Sequence, residues 1–298
     1  MIRLKNGLLI EGSVFSLPQH KTPQWIEAHG ITDAPPNGDY AAFTKEGLFI
    51  ADGVGKEHMP WVASQVVVKA VIQRADQLRI REMPMDEALN AIPNDVLPYG
   101  DFMIKLYVDD HPEAVETSTT LEGLFIVRNG FVLTGSGDSL TLEWKPSQPL
   151  EFSQLTREQE LGGMLANRFD GKGRPEPGIQ YNDARNGEPL PMELTHDEIH
   201  AVHAEPGNIY LMMTDGVFGN AHAATRLPQT PHYFLGNVLP SAARTAKDAA
   251  QNLVTLPYRI SMNTNLVVWD GQNWVPYLPP KDDATAGVLR VYDPKQLT

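Results

Sequence analysis

The chain has 298 residues, 42% of them apolar, a length and balance that suit one sizeable buried core. It carries no cysteine, which excludes disulfides, thiolate metal sites and a cysteine nucleophile. A formal charge of −13, with no local cluster of Lys and Arg, argues against a nucleic-acid partner. No run approaches the roughly 18 apolar residues a membrane helix needs, and Met1-Ile2-Arg3-Leu4-Lys5 does not open a secretion signal, so the expected setting is cytoplasmic, with no membrane.

Taken in chain order, Leu8 to Ile10 and Val14 to Leu17 read as short strands broken at Gly12-Ser13. A proline-rich stretch, Asp33 to Asp39, leads into a hairpin: Tyr40 to Phe43, a turn at Lys45-Glu46-Gly47, and Leu48 to Ala51, whose unbroken apolar character predicts burial on both faces. From His58 to Leu78, Val62, Val66, Val67, Ala70, Val71 and Ala75 fall at helical spacing. A second helix is predicted from Met85 to Leu97. Between Thr117 and Glu143 the pattern is β, with Asn129-Gly130 marking a tight hairpin between Leu121–Val127 and Phe131–Thr134.

Leu161, Met164, Leu165 and Phe169 predict a helix over 156–169. Gly, Pro and polar residues dominate 170–191, which reads as a loop or flap. Ile209 to Met213 is a buried strand, Ser241 to Leu253 an alanine-rich helix, and Leu266 to Trp269 a late strand. No repeat or linker divides the chain, so 1–298 reads as one domain. Blocks of hairpin-linked strands and helices predict an antiparallel α+β fold.

Three apolar strands end in an aspartate beside glycine: Leu48–Ala51 into Asp52-Gly53, Leu133-Thr134 into Gly135-Ser136-Gly137-Asp138-Ser139, and Tyr210–Met213 into Thr214-Asp215-Gly216. A carboxylate at a buried strand end is costly unless a cation or hydrogen bonds satisfy it. Hard oxygen donors without Cys suit Mg²⁺ or Mn²⁺, and a pair of such ions can activate water and clamp a phosphoryl group. Asp-Gly and Gly-Asp are also ordinary turn signals, so each alone says little.

Other motifs carry less. His196-Asp197-Glu198-Ile199-His200 lacks the glutamate that a zinc-protease helix needs after its first histidine, and its alternation toward Val202 reads as a strand. Gly171-Lys172-Gly173-Arg174 lacks the ending of a phosphate loop, and Lys172 and Arg174 read as solvated loop charges. Ser13, Ser136 and Ser139 sit in no Gly-x-Ser-x-Gly elbow. Trp144, Trp269 and Trp274 read as packing residues.

In order, Asn37-Gly38-Asp39, Asp52-Gly53-Val54-Gly55, Thr117-Ser118-Thr119-Thr120, Gly137-Asp138-Ser139, Met213-Thr214-Asp215-Gly216-Val217 and Ser261–Val268 resemble the successive motifs of the metal-dependent type 2C (PPM) protein serine/threonine phosphatases, over about residues 30–270. The resemblance implies a four-layer α-β-β-α sandwich of two antiparallel sheets flanked by helices. It implies Mg²⁺ or Mn²⁺ as cofactor, two ions with a weaker third, and a phosphorylated protein as substrate, hydrolysed by metal-activated water. On it, Asp52 is the bridging ligand with the Gly53 carbonyl beside it, Asp215 holds the other ion, Asp39 holds metal-bound water, Asp138 is auxiliary to the third ion, and Asn263 offers a neutral oxygen.

The chain departs from the pattern in four places. Met262-Asn263 stands where the closing motif usually has Asp-Asn, Gly38-Asp39 where the first motif has an acidic pair, and Gly219 where an aspartate often lies four residues after Asp215; no arginine lies in the loop before Asn37. Those losses imply an alternative, a catalytically impaired relative kept as a phosphoprotein-binding or regulatory scaffold.

Overall fold

The computed structural model describes residues 1–17, 37–54, 60–114, 117–145, 152–157, 159–161, 164–165, 167–175, 195–217, 245–261, 267–269, 274–276 and 283–296. Its strands are Ile2–Arg3 (β1), Leu9–Leu17 (β2), Tyr40–Thr44 (β3), Gly47–Ala51 (β4), Gly53–Val54 (β5), Ser118–Thr119 (β6), Leu121–Val127 (β7), Gly130–Ser136 (β8), Leu140–Trp144 (β9), Phe152–Gln154 (β10), Glu160–Leu161 (β11), Met164–Leu165 (β12), Glu198–His203 (β13), Ile209–Met213 (β14), Val267–Trp269 (β15), Trp274–Pro276 (β16) and Ala284–Tyr292 (β17). Its principal helices are Pro60–Leu78 (α1), Met85–Ala91 (α2), Leu97–Asp110 (α3) and Ala246–Ser261 (α4). No helix among the described residues is long and apolar enough to cross a membrane.

Two antiparallel sheets carry the fold. One has the order β1-β2-β17-β14-β9-β10, the other β13-β8-β7-β4-β3. The period-2 alternation of their strands decides the layering. Leu48 and Ile50 of β4, with Leu124 and Ile126 of β7, face Tyr210 and Met212 of β14 and Leu289 and Val291 of β17 in the space between the sheets. The alternate residues Phe49, Ala51, Phe125 and Val127 face outward and are covered by α1, α2 and α3 through Val67, Val71, Ala88, Leu97 and Ile104. On the opposite side, Leu211, Met213, Ala286 and Val288 meet Ala249, Ala250, Leu253 and Val254 of α4. The result is a four-layer α-β-β-α sandwich. Strands β4 and β14 are unbroken apolar runs because both of their faces are covered.

Several elements differ from the sequence expectation, each for a local reason. The N-terminal strand runs through Gly12 without a break, because Gly12 leaves room for the Phe43 ring, which would lie 2.4 Å from a Cβ there. The helix expected to end near Leu97 continues, through a π-type turn at Ile92–Val96, into α3 and reaches Asp110. The helix expected over 156–169 is replaced by the short pair β11–β12, and Phe169 bridges to Thr119. Gly162-Gly163 falls in the middle of that span, and glycine costs a helix about 1 kcal/mol per residue. The histidine-rich segment is strand β13 on the sheet edge, with His200 and His203 exposed.

A buried carboxylate, Glu122, sits between the sheets. Glu122 lies in the same inward row as Leu124 and Ile126 and accepts a 2.6 Å hydrogen bond from Thr141 Oγ1 of the facing sheet. Gly135, its register partner, must lack a side chain, since a Cβ there would stand 2.8 Å from Glu122 Oε1. Burial raises the Glu122 carboxyl well above the usual carboxylate range; bonds from Thr141 and Thr156 oppose the shift, and the Glu198 charge adds to it. The folded state therefore holds a proton that the unfolded chain releases in the ordinary range. That stability is complete below the ordinary carboxylate range and is lost as pH rises through the higher folded value, at up to about 1.4 kcal/mol per pH unit. Glu122→Gln should flatten this part of the fall in melting temperature as pH rises above the ordinary carboxylate range. An unchanged slope in a folded variant would show that Glu122 is not the titrating group.

Candidate metal centre

The carboxylates at strand ends converge on one edge of the sandwich. Asp52 leaves β4, and its main chain is locked by the threonine run. Its N–H donates to Thr120 Oγ1 at 2.9 Å, and its carbonyl accepts from Thr120 N–H at 2.9 Å and from Thr119 Oγ1 at 2.7 Å. Gly53 continues into β5 opposite Thr119. Thr120 Oγ1 also lies 3.2 Å from Ser139 Oγ, which fastens the Gly137-Asp138-Ser139 turn to the same point.

Asp39, at the start of β3, is buried. Its N–H donates to Asn37 Oδ1, and its Oδ2 accepts from Thr214 Oγ1 at 2.9 Å. Thr214 in turn is held by Thr285, whose N–H donates to Thr214 Oγ1 at 3.0 Å. Burial and then the Asp283 charge push the Asp39 carboxyl up to about 8, against hydrogen bonds with Asp52, Thr285 and Thr214 that pull it down. Asp39 therefore touches Asp52 on one side and the Asp215 strand on the other.

Asp283 is the residue that sequence reasoning missed. It is 7% exposed, and its Oδ2 accepts the Gly38 N–H at 2.5 Å. It opens β17, which lies between β2 and β14 in the sheet and pairs Ala286 with Met213. Gly216 packs so closely on it that a Cβ would stand 1.8 Å from the Asp283 carbonyl oxygen, so only glycine allows this approach. Asp215 is thus flanked by Thr214, which bonds Asp39, and Gly216, which rests on Asp283. The sequence held a signal: Asp282-Asp283 borders an apolar strand, the same design as at Asp52 and Asp215, but at the strand's entrance.

The late strand expected at Leu266–Trp269 is β15, which pairs with β16 and, among the described residues, not with the Asp215 strand. Asn263 and Met262, placed in the closing motif, lie outside the described residues, as do Gly219 and residues 176–191 of the expected flap. The root of that flap is pinned by Asp101 of α3, whose carboxylate accepts the N–H groups of Asp170, Gly171 and Gly173. Lys172 is exposed beside Asp170, as expected of a loop charge. Arg174 is not solvated: its side chain is 5% exposed and paired with Asp197, because β13 brings a carboxylate to it that no sequence spacing reveals.

The donor chemistry fits a hard divalent cation. Asp39 Oδ1 and Asp215 Oδ1 are buried and have no hydrogen-bond partner among the described residues. Burial, with the Asp283 charge beside it, leaves Asp39 holding a proton where a cation would offset the same cost. Among the described residues, no three His, Asp or Glu side chains stand at ligand spacing around a common point.

No protein-family model matches the sequence, and no curated protein matches it. Solved structures do. The Mycobacterium tuberculosis serine/threonine phosphatase PstP/Ppp is 18% identical, with a TM-score of 0.61 over 95% of this chain and 99% of that one. The PstP catalytic domain in complex with two manganese ions is 17% identical, with a TM-score of 0.62 over 96% and 100%. The PPM Ser-Thr phosphatase MsPP from Mycobacterium smegmatis is 15% identical, with a TM-score of 0.58 over 94% and 97%. The chain has the fold of these metal-dependent phosphatases.

Proposed function

We propose that this chain, built on the fold of the PPM-type phosphatases, is a metal-dependent hydrolase of phosphoserine or phosphothreonine in proteins, forming one phosphatase-like domain over 1–298 in a cytoplasmic setting. The observation that carries the reading is the meeting of Asp39, Asp52 and Asp283 at one edge, with Asp215 held between residues that touch them. Asp52 and Asp215 would be the principal holders of two Mg²⁺ or Mn²⁺ ions, with the Gly53 carbonyl beside Asp52 and Asp138 auxiliary. Asp39 would orient water through its buried free oxygen. Asp283, which the resemblance alone did not assign, would supply the negative charge that Met262-Asn263 lacks. Asn263 keeps its place as a candidate neutral donor.

When bound, the ions supply Lewis acidity and a nucleophile at neutral pH. The chain's own part is to fix the carboxylates. Thr119 and Thr120 hold the Asp52 main chain, Thr214 orients Asp39, and the Gly38 N–H orients Asp283. Such preset ligands cost little reorganisation when the reaction begins. A phosphothreonine peptide assayed with and without Mn²⁺ tests the proposal: turnover that appears with the metal and disappears with chelator supports it. Mn²⁺ binding without turnover supports the scaffold alternative instead, which gains its weight from Gly38, Gly219 and Met262, where the resemblance would have carboxylates. Silence in both overturns the metal reading.

A further inference from the structure

Arg174 lies at the centre of a buried polar lattice. Its Nε donates to Asp197 Oδ2 at 3.2 Å and its Nη2 to Asp197 Oδ1, a two-point grip. Nη1 donates to the Arg168 carbonyl at 2.7 Å, and Nη2 also to Ser136 Oγ at 2.8 Å and Asn167 Oδ1 at 2.9 Å. The guanidinium lies 3.8 Å from the Phe169 ring centre. Asn167 passes the chain of bonds on, donating to Gln159 Oε1 at 3.1 Å and to Asp197 Oδ1 at 3.0 Å.

Gln159 clamps Gly137 on both sides. Its Oε1 accepts the Gly137 N–H at 2.9 Å, and its own N–H donates to the Gly137 carbonyl at 2.7 Å. Gly137 sits at φ +112°, a conformation that other residues rarely adopt, against the Thr120 side chain. Ser136, Gln159 and Asn167 are all buried. The lattice thus grips the two residues immediately before Asp138, while Ser139, immediately after it, is held by Thr120 beside Asp52. An arginine fork is the one side chain that can satisfy Asp197, Ser136, Asn167 and a carbonyl from one plane; lysine has the charge without the fork.

We propose that Arg174 is a positioning residue for Asp138: through Ser136 and through Asn167–Gln159–Gly137 it sets the turn that presents that carboxylate at the edge where Asp52 lies. The metal part of this inference rests on the reading of the site given above. Two variants test it, Arg174→Lys and the double replacement Arg174→Met with Asp197→Leu, which removes both charges together and so leaves no unpaired ion in the interior. Thermal melts establish that each is folded.

Amide hydrogen exchange over 135–140, measured without metal, should speed up by roughly tenfold or more in both variants. The Mn²⁺ concentration for half-maximal binding at the weakest site, followed by calorimetry, should rise roughly tenfold, the scale of outer-sphere substitutions around metals. KM for a phosphothreonine peptide should stay within about twofold, since the Arg174 side chain is buried against Asp197. In an Asp138→Asn background, Arg174→Lys should add no further change in metal dependence. Unchanged exchange over 135–140 in a folded variant overturns the proposal, and so does an equal shift of metal dependence in the Asp138→Asn background. Wild-type protein that binds no Mn²⁺ overturns the metal reading of the site; the exchange measurement then decides the positioning role by itself.

Discussion

Asp52→Asn should reduce Mn²⁺-stimulated hydrolysis of a model phosphate ester by about a thousandfold or more while leaving the protein folded. Thr119 and Thr120 bond the backbone of residue 52, and none of these bonds depends on the carboxylate. The amide is close to isosteric, so the strand end and the cluster geometry should persist. What it removes is one negative charge at the point where Asp39 makes its hydrogen bond. On the proposed reading Asp52 would be a principal holder of the ions, so losing its charge would weaken that hold and with it both the Lewis acidity and the nucleophile that the metal would supply. Steady-state turnover beside a melting curve checks this. Turnover equal to wild type, in a folded variant, would remove Asp52 from the chemistry.

The second large effect carries opposite signs with and without metal. Asp283→Asn should make the metal-free protein more stable near pH 8 and its binding of Mn²⁺ weaker by tenfold or more. Asn Oδ1 can still accept the Gly38 N–H, so the bond that places the side chain survives. The charge that helps push Asp39 up to about 8 does not. In the wild-type protein the raised Asp39 value means that stability is full below the ordinary carboxylate range and falls as pH rises toward 8. Removing the Asp283 charge reduces that fall. The same charge is what a divalent ion would use, and a tenfold loss of affinity costs about 1.4 kcal/mol of metal-induced stabilisation at saturating metal. Melting temperatures at pH 8 with and without Mn²⁺ read both signs in one experiment. A variant destabilised in both conditions would show that Asp283 serves the fold alone.

The sequence was most legible where chemistry is local. Tyr40–Thr44 and Gly47–Ala51 form the expected hairpin, and the two-residue turn before Gly130 joins β7 to β8. Helix α1 follows from the spacing of Val67, Val71 and Ala75. Reading failed where a local pattern competed with a partner far along the chain. Leu161, Met164 and Leu165 fit a helix by spacing, but Gly162-Gly163 weakens helix there. Val267-Val268-Trp269 is more strongly β-forming than Ala284-Thr285-Ala286-Gly287, yet the weaker segment takes the place beside β14. Small residues win there because Gly287 must lie against Leu48 of the facing sheet, where a Cβ would come within 2.8 Å of that side chain.

By itself, then, the order of residues determined the antiparallel α+β class, the doubly covered strands and the placing of Asp52 and Asp215 at strand ends, since these follow from hydrophobic periodicity and turn chemistry within a few residues. Tertiary structure alone decided that Asp39, Asp52 and Asp283 share one edge and that Arg174 is buried against Asp197. The reason is physical: like charges are driven together, and a guanidinium out of water, only by the packing of distant strands, and no spacing along the chain records that cost.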